Sequence, residues 1–137
     1  MEDNKDNLIL ILAGYKQEME KFIDSNPGLR SRFPIHITFP DYTLQQLMEI
    51  AQLMVKEREY ILTAEAQEQL RTMLQARAYQ HSNSGNARMV RNLIERSMRL
   101  QAVRLLKIQS ADLLGRKELM TLTVEDIKNA YDDLTEN

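Results

Sequence analysis

The sequence predicts a mainly α-helical fold: a strand-helix-strand corner, then four helices with a short two-stranded pairing between them. Three observations predict it. Leu8 to Ala13 is a continuous apolar run closed by Gly14. Beyond Asp41, apolar residues recur at spacings of three and four for most of the remaining chain. That helical pattern is broken twice, at Tyr60-Ile61-Leu62 and at Leu119-Met120-Thr121-Leu122, by short extended stretches able to pair with each other.

The first run has the length and the closing glycine of a strand buried on both faces, as in the middle of a parallel sheet. Lys16 to Ile23 follows as a short helix, with Met19, Phe22 and Ile23 at helical spacing, ending before Asn26-Pro27. Asn26 to Pro34 reads as a rigid turn, because proline presets φ and Gly28 accepts a positive φ. Such a turn would aim Arg30 and Arg32 outward while Phe33 anchors it. Ile35 to Phe39 alternates apolar residues as a second strand. The corner therefore covers residues 1–41, and a helical domain covers 42–137.

In the helical part Thr43 is the predicted N-cap of a helix reaching about Arg58, with Leu44, Leu47, Ile50, Ala51, Met54 and Val55 on its buried stripe. Thr63 caps a second helix whose stripe is Ala66, Leu70, Met73, Leu74 and Ala78, fading into the polar loop His81 to Asn86. A third helix runs from about Ala87 to about Gln109. Its inner side holds Val90, Leu93, Ile94, Ser97, Gln101, Leu105 and Ile108; Arg88, Arg91 and Arg99 fall on the other side. Gly115 breaks the chain, and Thr123 starts a fourth helix with Val124, Ile127, Ala130, Tyr131 and Leu134 inward.

Composition narrows the function. The longest apolar run is about seven residues, short of a membrane span, and the residues before it are net acidic, unlike a signal peptide. With no cysteine there is no disulfide or thiolate metal site. His36 and His81 stand far apart with no companion at ligand spacing, so no metal site is predicted. A net charge of −2 and a pI near 5.7 oppose a general polyanion binder. Between Gly85 and Lys117, however, eight basic residues face only Glu95 and Asp112.

Two basic sites each follow a turn. Arg30 and Arg32 offer planar forks of donors that match phosphate or carboxylate. Arg88, after Gly85-Asn86-Ala87, sits in a helix's first turn, where the dipole disfavours a cation, and a bound anion beside it would supply the reason. Taken singly, each also reads as solvated surface charge.

Taken together, Ala13-Gly14-Tyr15, Asn26-Pro27-Gly28-Leu29-Arg30-Ser31-Arg32-Phe33, Phe39-Pro40-Asp41-Tyr42 and Gly85-Asn86-Ala87-Arg88 resemble the AAA+ ATPases of the branch containing stage V sporulation protein K and the red-type, CbbX-like Rubisco activase. The resemblance implies a cytoplasmic, ring-forming ATPase, hexameric in the parent, that uses ATP and Mg²⁺ to remodel a protein substrate. Arg32 would be the arginine finger acting on a neighbouring subunit's nucleotide, with Arg30 as a second candidate. Arg88 would be sensor 2, and Tyr15 would stand at the sensor 1 position, where many relatives have asparagine. No Gly-x-x-x-x-Gly-Lys-Ser/Thr loop can be written with only Gly14, Gly28, Gly85 and Gly115. The resemblance places that loop, and the acidic pair for Mg²⁺, upstream of Met1. It thus implies a C-terminal fragment, inactive alone, with no tightly bound cofactor and with the 8–13 strand free to self-associate. Two other readings remain: a nucleic-acid-binding helix along the basic stripe, and a protein-interaction module without an ATPase role.

Overall fold

The computed structural model describes residues 9–80, 86–108 and 114–135. They form α1 (Lys16–Asp24), α2 (Pro27–Arg32), α3 (Leu44–Glu57), β1 (Ile61–Leu62), α4 (Ala64–Gln80), α5 (Asn86–Leu106), α6 (Arg116–Leu119), β2 (Thr121–Leu122) and α7 (Val124–Thr135). The chain divides into two compact units, Met1–Pro40 and Asp41–Asn137.

The first unit holds α1 and α2. Asn26 to Pro34, expected as a turn, is instead mostly helix. Asn26 caps α2 by accepting from the Gly28 N–H at 3.0 Å, and Pro27 occupies the first turn, where its missing N–H costs nothing. Among the described residues no glycine has a positive φ, so Gly28 serves another purpose. A Cβ on it would lie 2.8 Å from Nη1 of Arg32, whose guanidinium folds back over this glycine.

The two strands expected on either side are not strands. The first begins outside the described residues, and neither 9–15 nor 33–43 pairs in a ladder. A strand of this kind is stabilised by neighbours that take its N–H and C=O groups and cover its faces, and none of the described segments does so. Ile9, Ile11, Ile37 and Phe39 are accordingly three-quarters exposed or more.

The second unit is built from four long helices, α3, α4, α5 and α7. Thr43 and Gln46 close a capping box on α3: the Gln46 N–H reaches Thr43 Oγ1 at 3.3 Å and the Thr43 N–H reaches Gln46 Oε1 at 2.9 Å. The far end of α3 turns on Glu59, which has φ 60°. Its N–H bonds to the Lys56 carbonyl and the Tyr60 N–H to the Val55 carbonyl, both at 2.9 Å, the six-to-one and five-to-two pattern usually closed by glycine. The reversal sends the chain into β1. Parallel pairing then sets Ile61 opposite Thr121 and Leu62 opposite Leu122, tying two distant parts of the chain together.

The core lies between the helices. Leu47, Met48, Ala51 and Val55 of α3 meet Ala66, Leu70, Met73 and Leu74 of α4, Val90, Leu93 and Ile94 of α5, Leu122 of β2, and Ile127 and Ala130 of α7. α5 packs along both α3 and α7, and α4 packs on α3 and α7. The predicted stripes hold for these residues. Ile108, expected inside, is 39% exposed because α5 ends at Leu106. Ala78 and residues 81–85 of the expected polar loop lie outside the residues or side chains described; Asn86, expected to end that loop, is instead the first residue of α5, whose end, expected near Gln109, comes at Leu106. The break expected at Gly115 is the N-cap of α6, so Leu119 is helical and β2 is shorter than predicted.

A non-glycine residue held in the left-handed region is strained, and the Glu59–Arg116 ion pair that partly compensates is exposed on both sides. Glu59→Gly is expected to raise stability by about 0.5–1 kcal/mol. Denaturant unfolding checks this; equal or lower stability would mean the exposed pair outweighs the backbone strain.

Candidate nucleotide-facing residues in a helical lid

Arg88 lies in the first turn of α5, exposed, with no hydrogen bond or ion pair to the other described residues. α5 is a 21-residue helix, about 31 Å long, and its buried stripe fixes which way it faces. The solvent side is therefore set by the core.

Several other cations of the basic stripe are already satisfied. Arg96 is paired with Asp133 on α7 through Nε at 2.8 Å, and Arg116 reaches Glu59 at 2.9 Å. Glu95 lies between Arg58 at 3.1 Å and Arg99 at 3.9 Å. Arg104 donates from Nε and Nη2 to the two oxygens of Asp126 at 2.8 and 2.9 Å. Four of the eight basic residues that read as a polycation in the sequence, Arg96, Arg99, Arg104 and Arg116, thus face carboxylates in space. A cleft lined by Asn92, Glu95, Arg96, Arg99, Asp133 and Leu134 opens among these pairs, with its charges of both signs already engaged.

Asp126, in the start of the fourth helix that the sequence marks from Thr123, is the polar centre of the unit. It is almost wholly buried, yet it accepts from Arg104, from the Thr123 N–H at 2.9 Å and from the Thr123 hydroxyl at 2.9 Å. Burial by itself would raise its carboxyl. The hydrogen bonds from Arg104 and from the backbone and hydroxyl of Thr123, with the nearby positive charge, together outweigh burial and hold the carboxyl below the usual range. The same hydrogen bond raises Arg104, against partial burial. Thr123 and Asp126, three apart at a helix start, carry a capping signature; the link to Arg104 has no signature in sequence. Gln101, also buried, donates to the Leu119 carbonyl at 2.7 Å and so fastens α5 to the chain before β2.

In the first unit, Arg30 and Arg32 occupy the last turn of α2. Arg30 is bound to Asp24, the last residue of α1, at 2.5 Å across the intervening turn, with both side chains well exposed. Tyr15 is 62% exposed at the start of α1 and makes no side-chain capping bond. Arg30, Arg32 and Tyr15 thus belong to one unit and Arg88 to the other. Among the described residues no group of three His, Cys, Asp or Glu could hold a metal ion, and no helix is long and apolar enough to cross a membrane.

A four-helix unit of this topology, entered by a capped helix and closed by a parallel two-residue pairing, defines a class. Residues 43–137 match the AAA lid domain, and the chain belongs to that family. Within it, the chain is 49% identical over 129 residues to stage V sporulation protein K of Bacillus subtilis, a match covering 93% of this chain and 39% of that protein. It is 44% identical to the protein CbbX of Cereibacter sphaeroides over 93% of this chain and 41% of that one. To the chloroplastic ribulose bisphosphate carboxylase/oxygenase activase of Cyanidioschyzon merolae it is 40% identical, over 93% and 43% respectively. The chain spans about two fifths of the length of these relatives.

Because the Asp126 carboxyl is lowered on folding, its contribution is complete above the ordinary carboxylate pKa of about 4 and is lost as pH falls toward the folded value. Asp126→Asn is expected to be less stable than wild type at pH 7 by about 1–3 kcal/mol and to lose less stability between pH 5 and pH 2. Thermal unfolding across that range decides it. Parallel losses in the two proteins would show that Asp126 does not carry the acid sensitivity.

Proposed function

We propose that the chain supplies the lid and the arginine-bearing part of a ring-forming AAA+ ATPase that couples ATP hydrolysis to remodelling of a protein substrate. The observation that carries this reading is Arg88: an exposed arginine in the first turn of the longest described helix of an AAA lid, set against the helix dipole and without a partner among the described residues. In the proposed role it is sensor 2, donating to the phosphates of nucleotide held by its own subunit. Arg32 is the finger, reaching the terminal phosphate held by the next subunit, and Tyr15 stands at the sensor 1 position. Arg30, which is paired with Asp24, is the second candidate for the finger.

Phosphoryl transfer spreads charge over the equatorial oxygens of the transferred group, so positioned guanidinium groups act by neutralising it; a finger supplied in trans is worth roughly 10³- to 10⁵-fold in rate. ATP and Mg²⁺ are the proposed cofactors of the parent. Arginines fit the phosphates, whereas the described residues offer no metal cluster, and Mg²⁺ would take its ligands elsewhere. The proposed compartment is the cytoplasm and the proposed assembly a hexamer. The names of the relatives point to sporulation and to ribulose bisphosphate carboxylase/oxygenase as contexts.

In the longer protein that contains this chain, Arg32→Ala is expected to reduce ATP turnover by about 10³-fold while leaving nucleotide binding nearly intact. Arg88→Ala is expected to weaken both. Steady-state hydrolysis with a separate nucleotide-binding titration tests the pair, and undiminished turnover in Arg32→Ala removes that residue from the mechanism. The 137 residues alone are expected not to hydrolyse ATP, so metal-dependent turnover by them would overturn the reading.

The exposed apolar run at 9–13 is expected to bring isolated chains together as paired strands. Light scattering should find a dimer or larger species that Ile11→Lys returns to monomer. A monomeric wild type would refute strand pairing.

A further inference from the structure

We propose that Asp41 is a positioning residue whose carboxylate tethers the start of the helical unit to the turn that presents Arg88. The consequence for nucleotide rests on the reading of Arg88 as a phosphate contact; the tether itself does not.

One hydrogen bond carries the inference. Asn86 Nδ2 donates to Asp41 Oδ1 at 2.6 Å, between residues 45 apart in sequence. Asp41 is the first residue of the helical unit, and only Tyr42 separates it from Thr43, whose capping box fixes the start of α3. Little slack remains between the tether and a rigid helix end. Asn86 is the first residue of α5, and Arg88 follows within the same turn. The bond therefore joins the beginnings of two helices that also pack against each other. It also places a carboxylate at the start of α5, where the unsatisfied N–H groups favour an anion.

Mechanically, a displacement of the chain at Pro40-Asp41 is transmitted to the first turn of α5 through this bond. In the reverse direction, a phosphate that repositions Arg88 acts through the same turn on the point where the chain joins the helical unit.

Amide exchange on the full 137-residue chain tests the tether. Val90, Arg91 and Asn92 are the first amides of α5 whose N–H groups reach back into its first turn. Asp41→Ala is expected to speed their exchange roughly two- to fivefold, with Ser97 to Leu100 unchanged. Asn86→Ala should do the same, and the double variant should add nothing. Asp41→Asn keeps an acceptor oxygen and should remain near wild type. Unchanged exchange in Asp41→Ala, or additive effects of the two alanines, would overturn the proposal.

In a full-length protein carrying this chain, Asp41→Ala should lower kcat and raise KM for ATP, each by less than Arg88→Ala does, and Asp41→Asn should restore both. Equal kcat in wild type and Asp41→Ala, alongside faster exchange, would overturn the mechanical link to turnover. If Arg88→Ala leaves nucleotide binding and turnover untouched, the phosphate reading falls, and the exchange pattern still decides the tether.

Discussion

The helical unit depends on the burial of one face of α5. Val90, Leu93 and Ile94 lie in the common core with α3, α4 and α7, and Ser97, Gln101 and Leu105 continue the buried line toward the C-terminal end. Apolar burial of this kind is the dominant favourable term in folding. It also has a geometric result. Once that stripe is fixed, every other α5 side chain has a set direction, including Arg88 at one end and Arg104 toward the other.

Polar residues then settle what apolar burial leaves loose. Apolar contact is non-directional, whereas a buried carboxylate tolerates few arrangements of its donors. Asp126 takes two donors from Arg104 and two from Thr123, which ties the latter part of α5 to the start of α7 and to the end of β2. Gln101 adds a bond to the Leu119 carbonyl on the same side. A fully satisfied network of this sort favours one packing over its near alternatives.

The two ends of α5 consequently have different characters. Its latter part is fastened by buried, charge-assisted bonds. Among the described residues, its first turn holds an exposed arginine and the Asn86–Asp41 hydrogen bond, close to where the two compact units join in sequence.

The sequence by itself determined the helical stripes, the caps at Thr43, Thr63 and Thr123, the pairing of the stretches near residues 61 and 121, and the four short motifs that point to the AAA+ family. These are local: spacing along a helix and side-chain bonds over three residues are written in consecutive positions. Only the tertiary structure decided that Pro27–Arg32 is a helix with Arg32 folded over Gly28, that Glu59 adopts a positive φ, and that Arg96, Arg99, Arg104 and Arg116 of the basic stripe are paired. Asp24 meets Arg30 across a turn, Arg96 with Asp133 and Arg104 with Asp126 meet between separate helices, and Asn86 of α5 meets Asp41 in the chain before α3. The strands read at 8–13 and 35–39 show the same limit. A strand is completed by its neighbours, and no periodicity within it supplies them.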